Sequence, residues 1–240
     1  MTLGAMIISE QDNRWLVNKY PNLVVTPEGV SGFIYLDATY NSDKHLFLAL
    51  PKGTEDSVGG RRLSGKFDIS IKERIVIAPS RLPALSVENI EHSSNRHFNQ
   101  TDGTACLGSP LEEDKFLIPQ FQFRKYFEEL VLPFLYGQLF YSAEARWPWG
   151  EYGHGLVGLF ESYLRINDPL KAKELLEKIS CDPLGASRIR SILRKKEEIK
   201  GEIMCFCLGL TPMEICHPQA LEGLRQLQRD IEKEQILIKE

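Results

Sequence analysis

Cysteine is scarce in this sequence: five residues in 240, an odd number, and four of the five lie beyond residue 180. A disulfide framework is not expected in a chain of this size, so the thiols are read as serving thiolate chemistry or metal binding. Long apolar runs are missing too. The longest, residues 130–141, is broken by Pro133 and Gly137 and falls well short of the roughly 20 residues that span a bilayer. Residues 1–6 show neither a basic start nor a long apolar core, so no secretory leader is expected. A basic excess is also lacking. With 29 Lys and Arg against 33 Asp and Glu, the net charge is −4, which removes the electrostatic footprint of a nucleic-acid binder. Neither membrane nor nucleic acid is therefore expected as a partner, and a cytoplasmic location is. The remainder, 42% hydrophobic and 26% charged, is ordinary globular composition, enough for one good-sized core or one core with an appendage.

Against this background one short polar stretch stands out: His97-Phe98-Asn99-Gln100-Thr101-Asp102-Gly103-Thr104-Ala105-Cys106-Leu107-Gly108. Asp102-Gly103 is a turn signal, because glycine takes positive φ freely and aspartate tolerates it. A cysteine just beyond such a turn is held by backbone and can face solvent, as a reactive thiol requires. Asn99 brings an amide able to donate to an oxyanion, and His97 brings a hydrogen-bonding scaffold or a base.

The arrangement His97-x-Asn99, then Gly103, then Cys106-Leu107 resembles the active-site segment of ubiquitin-conjugating enzymes. In that family a His-Pro-Asn tripeptide precedes a Gly-x-x-Cys-Leu. Phe98 stands here in place of the family's proline, and the interval from Asn99 to Cys106 is one residue shorter than the eukaryotic pattern. Both departures resemble divergent bacterial members that serve ubiquitin-like conjugation systems, including an antiphage setting. The resemblance implies that Cys106 carries the modifier as a thioester, that Asn99 stabilises the oxyanion and that His97 orders the Asn99 loop. It also implies two partners, a ubiquitin-like modifier and its activating enzyme. Two other classes stay open: an inactive scaffold that only binds the modifier, and a cysteine hydrolase pairing Cys106 with His154.

The order of elements agrees with the resemblance over roughly residues 10–165. Residues 10–21 read as a helix capped by Asp12 or Asn13. Residues 32–40 and 45–50 read as paired strands across an Asn41-Ser42-Asp43 turn. Residues 53–65, with Gly59-Gly60-Arg61-Arg62, read as a loop. Strict alternation in 67–71 marks a half-buried strand, 74–78 extends or pairs with it, and 85–90 is a final strand. Residues 121–143 carry Phe123, Phe127, Leu130, Val131, Phe134, Leu135 and Leu139 at helical spacing, with Pro133 expected to kink or divide the helix. The glycine-bracketed His154 leads into a helix over 156–165. The expected fold is α+β: a ubiquitin-conjugating-enzyme-like domain over 1–165, then a helical C-terminal region over 166–240.

In that second region Asp168-Pro169 opens a helix with Leu170, Leu175, Leu176 and Ile179 on its apolar face. A basic helix is expected over 188–200. Cys205-Phe206-Cys207 and, eight residues on, Cys216-His217 supply three thiolates and an imidazole on two short arms. Four such ligands make a closed shell, the mark of a structural zinc site. The four positions resemble the zinc motif at the C-terminus of the bacterial translocation ATPase, with Leu208-Gly209-Leu210-Thr211-Pro212 replacing its usual glycine- and lysine-rich interior. From Pro218 the pattern Leu221, Leu224, Leu227, Ile231 reads as a last amphipathic helix. Cys181 is given no role.

Overall fold

The first helix, α1 (Glu10–Lys19), starts where Ser9 accepts the Asp12 amide at 3.0 Å. Ser9 therefore caps it, not Asp12 or Asn13, which lie inside the first turn. Glu10 and Asp12 sit at its positive end and Lys19 at its negative end, in keeping with the helix dipole. In this computed structural model, residues 8–50, 54–74, 80–150, 152–195, 197–207 and 209–236 are described.

Among the described residues five antiparallel strands follow: β1 (Leu23–Thr26), β2 (Gly29–Asn41), β3 (Leu46–Ala49), β4 (Arg61–Lys72) and β5 (Ala84–Val87). The order is β1-β2-β4-β5, with β3 also paired to β2. β2 is long enough to pair with β1 at one end (Val25↔Val30) and β3 at the other (Tyr40↔Phe47), while β4 runs along its other side. The period-2 rule puts Val30, Ile34, Leu36, Ala38, Phe67, Ile69 and Ile71 on the buried face. Tyr35 and Lys66 stand on the other face and are exposed.

The expected loop over 53–65 is shorter than the sequence suggests, because Arg61 and Arg62 already belong to β4. Gly59 takes φ +67, and the Asn41 side chain donates through Nδ2 to the Val58 carbonyl at 3.1 Å, which closes the connection early. Arg62 Nε then donates to Asp37 Oδ1 across the sheet at 2.7 Å. Most of the expected extension at 74–78 lies outside the described residues.

The short helices α2 (Asp114–Leu117) and α3 (Phe123–Tyr126) lead through a π-helical turn, Phe127–Val131, into α4 (Leu132–Glu144). Pro133 thus does not divide the helix, which runs on through it into α4. It falls in the first turn beyond the π-turn, where its missing N–H is absorbed by the altered bonding. Phe123, Tyr126, Phe127, Val131 and Leu135 are fully buried and form one core with Leu16 and the inner face of the sheet.

The remaining helices are α5 (Leu156–Ile166), α6 (Ala172–Ile179), α7 (Pro183–Leu193), α8 (Met213–Cys216) and α9 (Pro218–Lys233). They form a second core from Val157, Phe160, Tyr163, Leu175, Ile189, Met213, Leu224 and Leu227, with Leu111 added from an earlier part of the chain. Gly223 lets α9 approach α5, since a Cβ there would lie 2.0 Å from the Phe160 carbonyl oxygen. The Tyr163 hydroxyl donates to buried Asp230 at 2.7 Å.

Two expectations change here. Leu170 is 81% exposed, because a 3₁₀ turn precedes α6 and rotates it off the apolar face. The basic helix starts earlier and stops at Leu193. Beyond it, Gln228 holds the Lys195 and Glu197 carbonyls at 3.0 Å and Arg225 holds that of Ile199 at 2.9 Å, so α9 takes up groups a longer helix would have used.

The chain forms two compact units. The first holds the described residues of 1–76, 82–108 and 115–150, the second those of 77–81, 109–114 and 151–240. The boundary read from sequence was 165/166, whereas α5 packs into the second unit. No helix among the described residues is long and apolar enough to cross a membrane.

Candidate functional site

Residues 97–106 form a narrow hairpin in the first unit. Phe98 and Ala105 face each other in an antiparallel bridge. The Cys106 amide donates to the His97 carbonyl at 2.7 Å, and the Asn99 amide to that of Thr104 at 2.8 Å. Gly103, at φ +67, closes the turn by donating to the Asn99 carbonyl at 2.8 Å. The Ala105 amide reaches the Leu85 carbonyl on β5 at 2.8 Å, fastening the hairpin to the sheet. Phe98 and Ala105 point into the core, Phe98 edge-on to Phe134 at 5.4 Å and stacked on His92 at 4.4 Å. Side chains alternate along extended backbone, so burying Ala105 turns Cys106 outward, and it is exposed.

The hairpin therefore brings together the three residues read from sequence. His97 contributes in two ways: its backbone adopts the left-handed conformation, φ 55, and its ring lies 4.6 Å from that of Trp147. Asn99 donates through Nδ2 to the Thr104 hydroxyl at 3.0 Å. Thr104 in turn gives its proton to Asp102 Oδ1 at 2.7 Å, and Arg74 Nη1 donates to Asp102 Oδ2 at 3.1 Å. Burial works to raise the Asp102 carboxyl, but the Thr104 hydroxyl and amide and the Arg74 guanidinium outweigh it and hold it below its ordinary range. The parts of Thr104 and Arg74 were not read from sequence. Thr104 lies inside the quoted segment, but its role depends on Arg74, 30 residues earlier. His154 is exposed and belongs to the second unit.

A second constellation lies in that unit. Residues 203–207 and 209–213 fold back on each other: Met204 bridges Pro212, the Cys205 amide donates to Thr211 at 3.1 Å and the Met213 amide to Ile203 at 2.8 Å. This turn carries Cys205 and Cys207, while Cys216 ends α8 and His217 is the residue before α9. Pro218 starts α9 at a position where its missing N–H costs nothing. The ligand atoms of Cys205, Cys207, Cys216 and His217 all lie within 4.8 Å of one another, close enough to hold a metal ion. Cys205 Sγ is 3.2 Å from His217 Nδ1, and Cys207 Sγ is 3.5 Å from Cys216 Sγ. The Gly209 amide, aimed at Cys207, lowers that thiol, burial raises Cys205, and the bond to Cys207 pushes Cys216 up to about 11. Gly209 also leaves room there, since a Cβ would lie 3.2 Å from Cys207 Sγ.

Comparisons of this chain with protein-family models, with curated proteins and with solved structures give no match.

Proposed function

We propose that the protein is a conjugating enzyme for a ubiquitin-like modifier, acting in the cytoplasm with Cys106 as the acyl carrier. The observation that carries this reading is the exposed Cys106 on a hairpin rung whose partner strand presents His97 and Asn99. The Cys106 thiolate attacks the modifier's C-terminal carbonyl, held as a thioester on an activating enzyme. The C–S bond to that enzyme breaks and its thiol departs. An amine of the target then attacks the new thioester, an amide forms and the Cys106 thiol is released. Asn99 serves the oxyanion of that second step, and His97 shapes the loop.

The metal centre takes a structural part. Three sulfurs and one imidazole nitrogen are the donor set of a closed zinc site. Ligand bonds of about 2.0–2.3 Å to a tetrahedral ion imply donors roughly 3.3–3.8 Å apart, and two of the pairs here, at 3.2 and 3.5 Å, fall near that range, with all four atoms within 4.8 Å of one another. Zinc bound by Cys205, Cys207, Cys216 and His217 would tie the 203–213 turn to the start of α9.

The reading is tested by loading Cys106 from a fluorescent Gly-Gly thioester of 2-mercaptoethanesulfonate and following the adduct by peptide mass mapping. A conjugating enzyme keeps the Cys106 thioester in water and loses it to added lysine. Rapid loss to water without lysine would mean a cysteine hydrolase instead. Loss no faster than from a small-molecule thioester would leave only a binding scaffold. Cys106→Ala removes the adduct at this position.

A further inference from the structure

The hydrogen-bond directions around Asn99 follow from a single charged group. The Asp102 carboxylate has no proton to give. It accepts from the Thr104 amide at 3.0 Å, the Thr104 hydroxyl at 2.7 Å and Arg74 Nη1 at 3.1 Å. A hydroxyl owns one proton. With that proton on Asp102, Thr104 Oγ1 can only accept, and it does so from Asn99 Nδ2 at 3.0 Å. Arg74, a donor without acceptor capacity, approaches the same oxygen at 3.4 Å. The Asn99 carboxamide is thereby forced to turn its NH₂ toward Thr104 and its oxygen away. Without the carboxylate, the hydroxyl could equally donate to Asn99 Oδ1, and the amide could sit either way round.

We propose that Thr104 is a positioning residue that, oriented by Asp102 and Arg74, holds the Asn99 carboxamide in the orientation that offers an N–H to the acyl oxygen of a Cys106 thioester. The inference rests on the conjugating reading above. An NH₂ group has two protons. One is bound to Thr104, and the second is the donor for the developing charge. When the amine nitrogen bonds to the carbonyl carbon, the C=O electron pair moves onto oxygen. When the carbonyl re-forms, the C–S bond breaks, Cys106 leaves as thiolate and the amine proton passes to water. Asn99 acts on the oxygen between these two events, and Thr104 acts only through Asn99. Thr104 is buried, so it has no route to the acyl group itself.

The test uses the full chain loaded with the same Gly-Gly thioester and chased with free lysine. Exposed Cys181, in the second unit, is acylated in the same tube and reports unassisted aminolysis. In the wild type the Cys106 thioester should react about 10²-fold faster than that at Cys181, the scale of one oxyanion donor. Thr104→Val should cut the Cys106 rate on the order of tenfold or more while leaving its acylation unchanged, and Thr104→Ser should restore it. Asp102→Ala, at an exposed side chain, should act in the same direction, and rescue by Thr104→Ser together with unchanged Cys106 acylation guards against a folding defect in Thr104→Val. In an Asn99→Ala background, Thr104→Val should have no further effect, because groups acting as one unit are not additive. Wild-type rates equal at Cys106 and Cys181 would overturn the conjugating reading and this inference with it. A fast wild type with Thr104→Val unchanged, or with additive losses in the double variant, would overturn the inference alone.

Discussion

The Cys106 amide donates to the His97 carbonyl at 2.7 Å. The bond runs through backbone at both ends, so its survival depends on the conformation at residue 97 more than on the imidazole. That residue is left-handed, φ 55, a region asparagine tolerates and a β-branched side chain does not. His97→Asn should keep the hairpin. His97→Val should cost about 1–2 kcal/mol, read as a lowered urea midpoint, and should make Cys106 more reactive toward iodoacetamide as its rung frays. Equal midpoints for the two variants would show that the ring contact with Trp147, not the backbone, holds this corner.

How much of this arrangement was legible follows from where each partner lies in the chain. The Asp102-Gly103 turn and Cys106 are local signals, and the hairpin forms where they indicate. Cys-x-Cys and Cys-His also announce themselves by spacing, and their ligand atoms do converge. Arg74 could not be read, because its partners Asp102 and Thr104 are reached only after β5 intervenes. Strand β1 was missed for a different reason. It has four residues, and only Leu23 is buried, so no period shows. The boundary at 165 failed to anticipate α5's partners because Phe160 and Tyr163 face α9, some sixty residues on, and nothing local records that.

Acid should loosen the hairpin. The folded Asp102 carboxyl sits below its ordinary 3.8. A depressed folded value means the stabilisation is present above the unfolded value and is lost as pH falls through the folded one. Amide exchange at Gly103 and Thr104 should therefore stay slow down to about pH 4 and rise below it. In Asp102→Ala the same amides should exchange faster at neutral pH and show little further change with acid. An identical acid profile in both proteins would exclude this carboxyl as the cause.

Removing the metal should have a local effect. Purified protein should carry one zinc per chain, and a chelator should raise hydrogen exchange over residues 203–217. Helix α9 should stay protected, because Leu221, Leu224 and Leu227 are buried in the second core independently of the ligands. Acylation of Cys106 should be unaffected, since a closed four-ligand site leaves no position for chemistry. Gly209→Ala should weaken zinc retention, with its Cβ against Cys207 Sγ. Protein purified without chelator yet free of metal would remove the site.

Tyr163 and Asp230 offer a test of the second core. Burial first, and the Asp230 carboxyl second, raise the Tyr163 hydroxyl well above its ordinary value, so it remains a donor throughout the working pH range. Tyr163→Phe strands a buried carboxylate and should destabilise by about 2 kcal/mol. Tyr163→Phe combined with Asp230→Leu should recover part of that loss, since no unmet polar group remains. A single variant as stable as the wild type would mean that water replaces the hydroxyl.

The second unit is assembled from three separate stretches of chain, two of them borrowed from among the elements of the first. Leu111 is in its core, and the Ser109 hydroxyl donates to that of Ser162 at 2.7 Å. A fragment beginning at residue 151 would lack both, leaving an open socket and a Ser162 hydroxyl that keeps its bond to the Leu159 carbonyl but loses the donor above it. Nicking the intact protein at residue 151 is another matter: the two pieces should remain together on a sizing column, because the larger one still supplies the strand of chain that completes the smaller. Neither unit can be shuffled onto another protein as a contiguous cassette. An insertion or deletion in the native chain must respect all the crossings, which leaves the outer turns, such as residues 42–45, as the places where this sequence can change in length.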